Sequence, residues 1–296
     1  LGPRQGWLLQ TLLGSGDPAV LVDAARYLRW LLVAEVPTAL ALVGCGLLRG
    51  LGRSAAASAV LGAMTLVHLL TAALTMRGLG WGPDGAGAAL LLSRLLAALA
   101  VVWALKPVLR APALGPRWQP DAAWRVLGVG WPAGLETLLF HAGKLLTQTL
   151  VAQAGTVALA ANFVGFSISG LMNIPGTALG VAATTLVGQR LGAGSPVAAQ
   201  RALAGIVRSA TLLLSGLGLL LLPWSWWLAG RFGPDPQMVH AAGQVIALNC
   251  LFMPVWAWAF VLPAGLRGAA DTRHVMAVAW AGMWLCRVAL GWLLGV

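Results

Sequence analysis

With 296 residues, 59% of them hydrophobic and only 9% charged, this chain is too apolar for a water-soluble domain, in which about 25% of residues carry charge. A net charge of +11 would suggest a nucleic-acid partner in a soluble protein. Here the basic residues sit at the ends of apolar runs rather than in one patch, so nucleic acid is excluded and the lipid bilayer is the expected partner. Cys45, Cys250 and Cys286 fall within apolar runs without CxxC spacing. They predict buried thiols, with neither a disulfide nor a metal site indicated.

About 20 apolar residues are needed to cross a bilayer as a helix. The first apolar piece, Trp7 to Leu13, is too short. Full spans are predicted at 27–48, 56–76, 86–105, 124–153, 158–188, 203–228, 241–264 and 275–295. Trp224, Trp226 and Trp227 supply interfacial anchors at the end of one of them.

The first span holds Glu35, two residues before Pro37. It is either a proton carrier or the ion-pair partner of Arg29. Arg94 and Arg287 also lie inside apolar runs, where snorkelling or pairing accounts for them. In the span 124–153, Thr137, His141, Lys144 and Gln148 recur at helical spacing and form one polar stripe, with Glu136 beside it. Polar groups inside a membrane are costly and are functional candidates by default. Two readings stay open. Either Glu136 is the titrating carboxylate of a cation- or proton-linked site, or Lys144 pairs with a carboxylate and the stripe joins helices. In the span 158–188, Asn162, Ser169, Asn173, Thr177 and Thr184 are expected on one face. Pro175-Gly176 should interrupt that helix, since proline removes a backbone donor and frees a carbonyl. Such a break is tolerated at membrane depth only against protein or a water-filled cavity.

The chain also repeats itself. Asp17-Pro18 recurs as Asp235-Pro236, and Leu48-Arg49-Gly50 as Leu266-Arg267-Gly268, at the same spacing along the chain. A long repeat in so apolar a chain predicts a transporter made of two similar halves. The organisation expected is an N-terminal lobe over 1–105, a cytoplasmic linker over 106–123 and a C-terminal lobe over 124–296. By the repeat arithmetic the intact protein has about 435 residues and about twelve helices in two parallel six-helix lobes. The chain is then truncated at both ends, and its last helix is missing. Basic residues concentrate on one set of alternate loops, at Arg49, Arg53, Lys106, Arg110, Arg117, Arg125, Arg190, Arg201, Arg208, Arg267 and Arg273. The positive-inside rule therefore makes loops 49–53, 106–123, 189–202 and 267–274 cytoplasmic. No Walker loop, HExxH or Ser/His/Asp arrangement is present, so no enzyme activity is expected.

From Gly130 to Gly194 the residues become specific. Gly155-Thr-Val-Ala-Leu-Ala-Ala-Asn162 and Leu186-Val-Gly-Gln-Arg-Leu-Gly-Ala-Gly194, with the two Leu-Arg-Gly motifs and the two Asp-Pro loops, resemble the multidrug and toxic compound extrusion (MATE) family of secondary transporters. The resemblance implies an all-α integral membrane fold of two pseudo-symmetric lobes. It implies a monomeric antiporter in the cell's inner or plasma membrane that needs no cofactor beyond its coupling ion. Organic cations, drugs or other amphipathic small molecules would leave by alternating access as H⁺ or Na⁺ enters. Glu136 lies near the family's seventh-helix acid and takes the coupling role under this resemblance, with Glu35 as a second candidate. The region of the family's tenth-helix acid, around Val255 and Trp256, is apolar. A lipid-linked oligosaccharide flippase of the same superfamily and a fragment or scaffold without activity are the alternatives.

Overall fold

The computed structural model describes residues 18–109, 120–153 and 155–295. Every regular element among them is helical, as full backbone pairing inside a membrane requires. The chain forms two compact units, 1–118 and 119–296. The helix tail expected at 1–13 lies outside the described residues.

In the first unit, helix α1 (Pro18–Gly50) is followed by α2 (Ser54–Ala73), which runs into a π turn at Leu74–Gly78, and by α3 (Gly82–Leu109). Small residues let the helices approach. A methyl on Gly85 would meet Thr75 at 3.1 Å, and Ala41, Ala97 and Ala98 are buried together. Close van der Waals contact of this kind is the main attraction between helices in lipid. Hydrogen bonds join them as well. The Trp30 indole donates to Asp84 Oδ1 at 2.9 Å, and Arg53 Nη1 donates to the Ala104 carbonyl at 2.9 Å. Arg94, expected to snorkel or pair, instead places Nη1 2.7 Å from Met64 Sδ.

The second unit comprises α4 (Pro120–Gln153), α5 (Thr156–Met172), α6 (Ile174–Gly192), α7 (Pro196–Leu221), a 3₁₀ turn (Leu222–Trp224), α8 (Ser225–Gly230), α9 (Pro236–Leu251), α10 (Met253–Gly268), α11 (Thr272–Ala281), a π segment (Gly282–Ala289) and α12 (Leu290–Gly295). Prolines open α4, α7 and α9, where a missing N–H costs nothing. Asp235 caps α9 by accepting from the Gln237 N–H at 3.0 Å. Helix α10 packs between α6 and α7, α9 against α5, and α11 against α4. Leu214, Ile246, Met253, Ala257 and Val261 form the centre of the core.

The repeat is visible in the boundaries. α1 runs from Pro18 to Gly50 and its counterpart from Pro236 to Gly268, and α2 and α11 start at Ser54 and Thr272. The copies differ in how their first helix runs. The first is an unbroken helix despite Pro37, whereas the second bends by 58° between α9 and α10. The sequence reading took 241–264 as one plain span. Pro254 near the start of α10 permits the break, because its nitrogen cannot donate back to the preceding turn.

Among the described residues, five helices are long and apolar enough to cross a membrane, and seven if each bent pair is one span. The chain is thus a multi-pass membrane protein. The remaining expected span, 124–153, lies in one continuous 34-residue helix that is less apolar than the others, because its polar stripe dilutes it. Lys106–Leu109 continue α3 and Pro120–Ala123 open α4, so both ends of the linker expected at 106–123 are helical. Cys45 and Cys250 are buried, but Cys286 is exposed, on the outward side of the π segment.

Candidate functional site

Helix α4 carries the acidic group of the site. Glu136 sits midway along it, with its side chain 12% exposed. Arg267 reaches it from the last turn of α10, where the C-terminal end of the helix dipole favours a cation. Nη2 donates to Oε1 at 2.6 Å. The other oxygen, Oε2, is buried and has no partner. Met276, Trp280 and Trp284 of α11 and the π segment wall this corner, and the Trp284 indole N–H is also buried without an acceptor. The site therefore holds a carboxylate with one oxygen committed and one open.

The rest of the α4 stripe separates. Thr137, His141 and Gln148 are exposed. The Thr137 hydroxyl donates to its own helix at the Ala133 carbonyl, at 2.9 Å. The His141 ring meets Phe140 edge-on at 6.0 Å. Lys144 does not pair with a carboxylate, as one reading required. Its Nζ lies 4.7 Å from the centre of the Phe166 ring on α5, and the Arg287 guanidinium carbon lies 5.6 Å from the same centre.

The helix break expected near Pro175 is present: α5 and α6 meet at 47° across Asn173. Asn173 Oδ1 is buried there and has no partner. The common polar face expected across the break is not kept. Ser169 is buried and its hydroxyl donates to the Gly165 carbonyl at 2.6 Å. Thr177 is exposed and turns its hydroxyl to the Ile174 carbonyl at 2.8 Å. Thr184 joins α6 to α10 by donating to the Ala264 carbonyl at 2.8 Å. The bend at Asn173 rotates the second helix out of the phase a straight helix would keep. Asn162, on the first half, is half-buried.

Glu35, in the other unit, is exposed. Among the described residues it forms no ion pair, and the pairing with Arg29 does not occur. Six residues along a helix put two side chains on different faces, whereas Asp23 and Arg26, three apart, do approach to 3.9 Å.

Sequence reasoning placed Arg267 in a cytoplasmic loop and missed it as the partner of Glu136. It missed Phe166 altogether. One signal was available. The second unit has four acidic side chains, Asp121, Glu136, Asp235 and Asp271, and two of them, Asp235 and Asp271, are helix N-caps. Glu136, deep in an apolar run, had to take a basic partner from elsewhere.

A family model described as MatE matches residues 132–293. A probable multidrug resistance protein NorM from Thermotoga maritima is 24% identical over 284 residues, which cover 92% of this chain and 60% of that protein. The multidrug resistance protein MdtK of Yersinia pseudotuberculosis is 31% identical over 185 residues, 61% of this chain and 39% of that protein. Among solved structures, a MOP superfamily transporter from Pyrococcus furiosus superposes with a TM-score of 0.87 at 18% identity, covering 99% of this chain and 66% of that one. An outward-facing MATE family multidrug resistance transporter superposes with a TM-score of 0.86 at 18% identity, covering 97% and 65%. These structures share the fold. The chain spans less than two thirds of the length of each of these relatives.

Proposed function

Because the chain belongs to the MatE family, whose model covers more than half of it, we propose that it is part of an exporter that exchanges amphipathic small molecules for H⁺ or Na⁺. The whole transporter sits in the plasma membrane as a monomer, with loops 49–53, 106–123, 189–202 and 267–274 facing the cytoplasm. It uses no cofactor besides the coupling ion. The relatives named for multidrug resistance support the substrate class.

One observation carries the coupling assignment. Glu136 has one oxygen on Arg267 and the other buried and open. A buried carboxylate is less costly neutral than charged unless it is paired. A proton arriving on Oε2 would cancel the charge that holds Arg267, leaving the guanidinium free to move away. Because Arg267 closes α10 at the turn into α11, the state of Glu136 bears directly on that junction. Asn173 and Pro254 mark two helix breaks in the same unit, the places where helices of this kind hinge most easily. Glu35, Thr137, His141, Gln148, Asn162, Ser169, Asn173 and Thr177 keep the status of candidates. Thr137, His141, Gln148 and Thr177 are the exposed ones among those in the second unit.

Glu136→Gln keeps the shape of the side chain and removes its titration. In cells carrying the whole transporter, this variant should reach the membrane but lose resistance and dye efflux. Efflux that an uncoupler abolishes identifies H⁺ as the coupling ion, and efflux that follows external sodium identifies Na⁺. Resistance at the unmodified level in Glu136→Gln would remove the assignment.

A further inference from the structure

Two cations converge on one aromatic ring in the second unit, and no acid of that unit accompanies them. Lys144 Nζ and the Arg287 guanidinium lie 4.7 Å and 5.6 Å from the centre of the Phe166 ring. Both side chains are partly withdrawn from the surface. A ring face attracts each cation but does nothing for their mutual repulsion, which is strong where water is scarce.

The supply of carboxylates explains the imbalance. Of the four in this unit, Glu136 is bound to Arg267. Asp235 caps α9, and Asp271 caps α11 and binds His274. Asp121 lies in the first turn of α4, about six turns from Lys144. Neither Lys144 nor Arg287 has an ion pair among the described residues.

The backbone holds the two cations together rather than letting them part. Gly143, the neighbour of Lys144, is buried, and a methyl there would come within 2.6 Å of Met283 Cγ. This contact brings α4 onto the π segment one turn from Arg287. The segment Gly282–Ala289 is itself π-helical, a distortion frequent at functional sites.

We propose that Lys144, Phe166 and Arg287 form a binding site for an anionic headgroup, a carboxylate, sulfonate or phosphate attached to an apolar body. The guanidinium offers a planar fork to two oxygens and the ammonium a compact charge. The apolar body extends along the surrounding helix surface. The source is either a soluble amphiphile or an anionic lipid. As a binding site this stands on its own residues; as the site that selects cargo it rests on the exporter reading above.

The test uses the protein in nanodiscs of phosphatidylcholine, titrated with anilinonaphthalene sulfonate as the anion and tetraphenylphosphonium as the cation. Lys144→Gln and Arg287→Gln should each weaken sulfonate binding about tenfold or more, the loss expected for one charge-assisted contact. Phosphonium binding should hold or rise. Lys144→Arg, which keeps the charge, should retain sulfonate binding within about threefold and so reports that the fold survives. In a second arm, native mass spectrometry of protein exposed to phosphatidylglycerol should show retained lipid that Arg287→Gln loses. Sulfonate binding alone identifies a soluble amphiphile, and lipid retention alone identifies a headgroup. Unchanged binding of both anions in the Gln variants overturns the site, as does equal loss of anion and cation. Glu136→Gln should leave sulfonate binding intact, so failure of the coupling assignment and failure of this site give different results.

Discussion

Arg267 and Glu136, 131 residues apart in the chain, meet at 2.6 Å, and this ion pair ties the end of α10 to the middle of α4. Arg267 belongs to the second copy of the Leu-Arg-Gly motif. The first copy holds Arg49 at the corresponding place. The motif recurs in both units, and in the second its arginine binds Glu136.

Breaking this pair should destabilise the second unit. Glu136 is mostly buried and Arg267 more exposed, at 12% and 38%. The loss should lie between the values for exposed and buried pairs, roughly 1–3 kcal/mol. Arg267→Met leaves a buried, uncompensated carboxylate and should lower the melting temperature in detergent more than Glu136→Gln does. The double variant should recover part of the loss. Strict additivity of the two single losses would show that the pair contributes no coupling.

The two glycines that end the repeated motif should respond differently to the same substitution. A methyl on Gly268 would lie 2.5 Å from the Thr184 carbonyl oxygen, a backbone atom that cannot swing aside. A methyl on Gly50 would meet nothing within 4 Å. Gly268→Ala should therefore cost about 1–3 kcal/mol by forcing α6 and α10 apart. Gly50→Ala should stay within about 1 kcal/mol and tend toward a gain, since alanine favours the helix. Thermal unfolding of the two variants side by side checks this, and equal losses would contradict it.

Asp271 lies in the turn between α10 and α11, outside the spans. Its carboxylate accepts from the His274 side chain, whose Nδ1 is 2.7 Å away, and from the His274 backbone N–H at 3.4 Å. Chiefly through the side-chain bond, His274 holds the Asp271 carboxyl below its ordinary range. A depressed acid adds stability above its unfolded pKa of about 3.9 and loses it as the pH falls through the lower folded value. Asp271→Asn keeps a capping side chain but removes the charge. At pH 6 the unmodified protein should melt higher than this variant, and the gap should close as the pH is lowered toward 3. A gap that is constant or widens over that range would contradict the role given to His274.

Several features were legible in the residues alone because their causes are local. The apolar runs and their spacing required membrane helices. Pro175 marked a break that appears at Asn173, and the Asp-Pro and Leu-Arg-Gly repeats anticipated helix ends that recur in both units. The break at Pro254 was not anticipated, and Pro37, in the matching helix, lies within an unbroken helix. A proline only removes a donor, and packing decides whether the chain then bends.

What sequence alone determined is the material: a chain too apolar for water, crossing a bilayer as helices, with few acids to answer its many bases. Which base answers which acid was decided by tertiary structure. Glu136 could have met any of several cations at helical spacing, yet the rotation and height of α10 against α4 bring Arg267 to it. Close contacts seat α4 on the π segment, at Gly143 and Met283, and α10 on α6, at Gly268 and Thr184. They leave Lys144 and Arg287 together over Phe166 with no acid beside them. Periodicity can state which residues share one helix face. It carries no information on the depth at which two helices meet, and an ion pair 2.6 Å long depends on that depth.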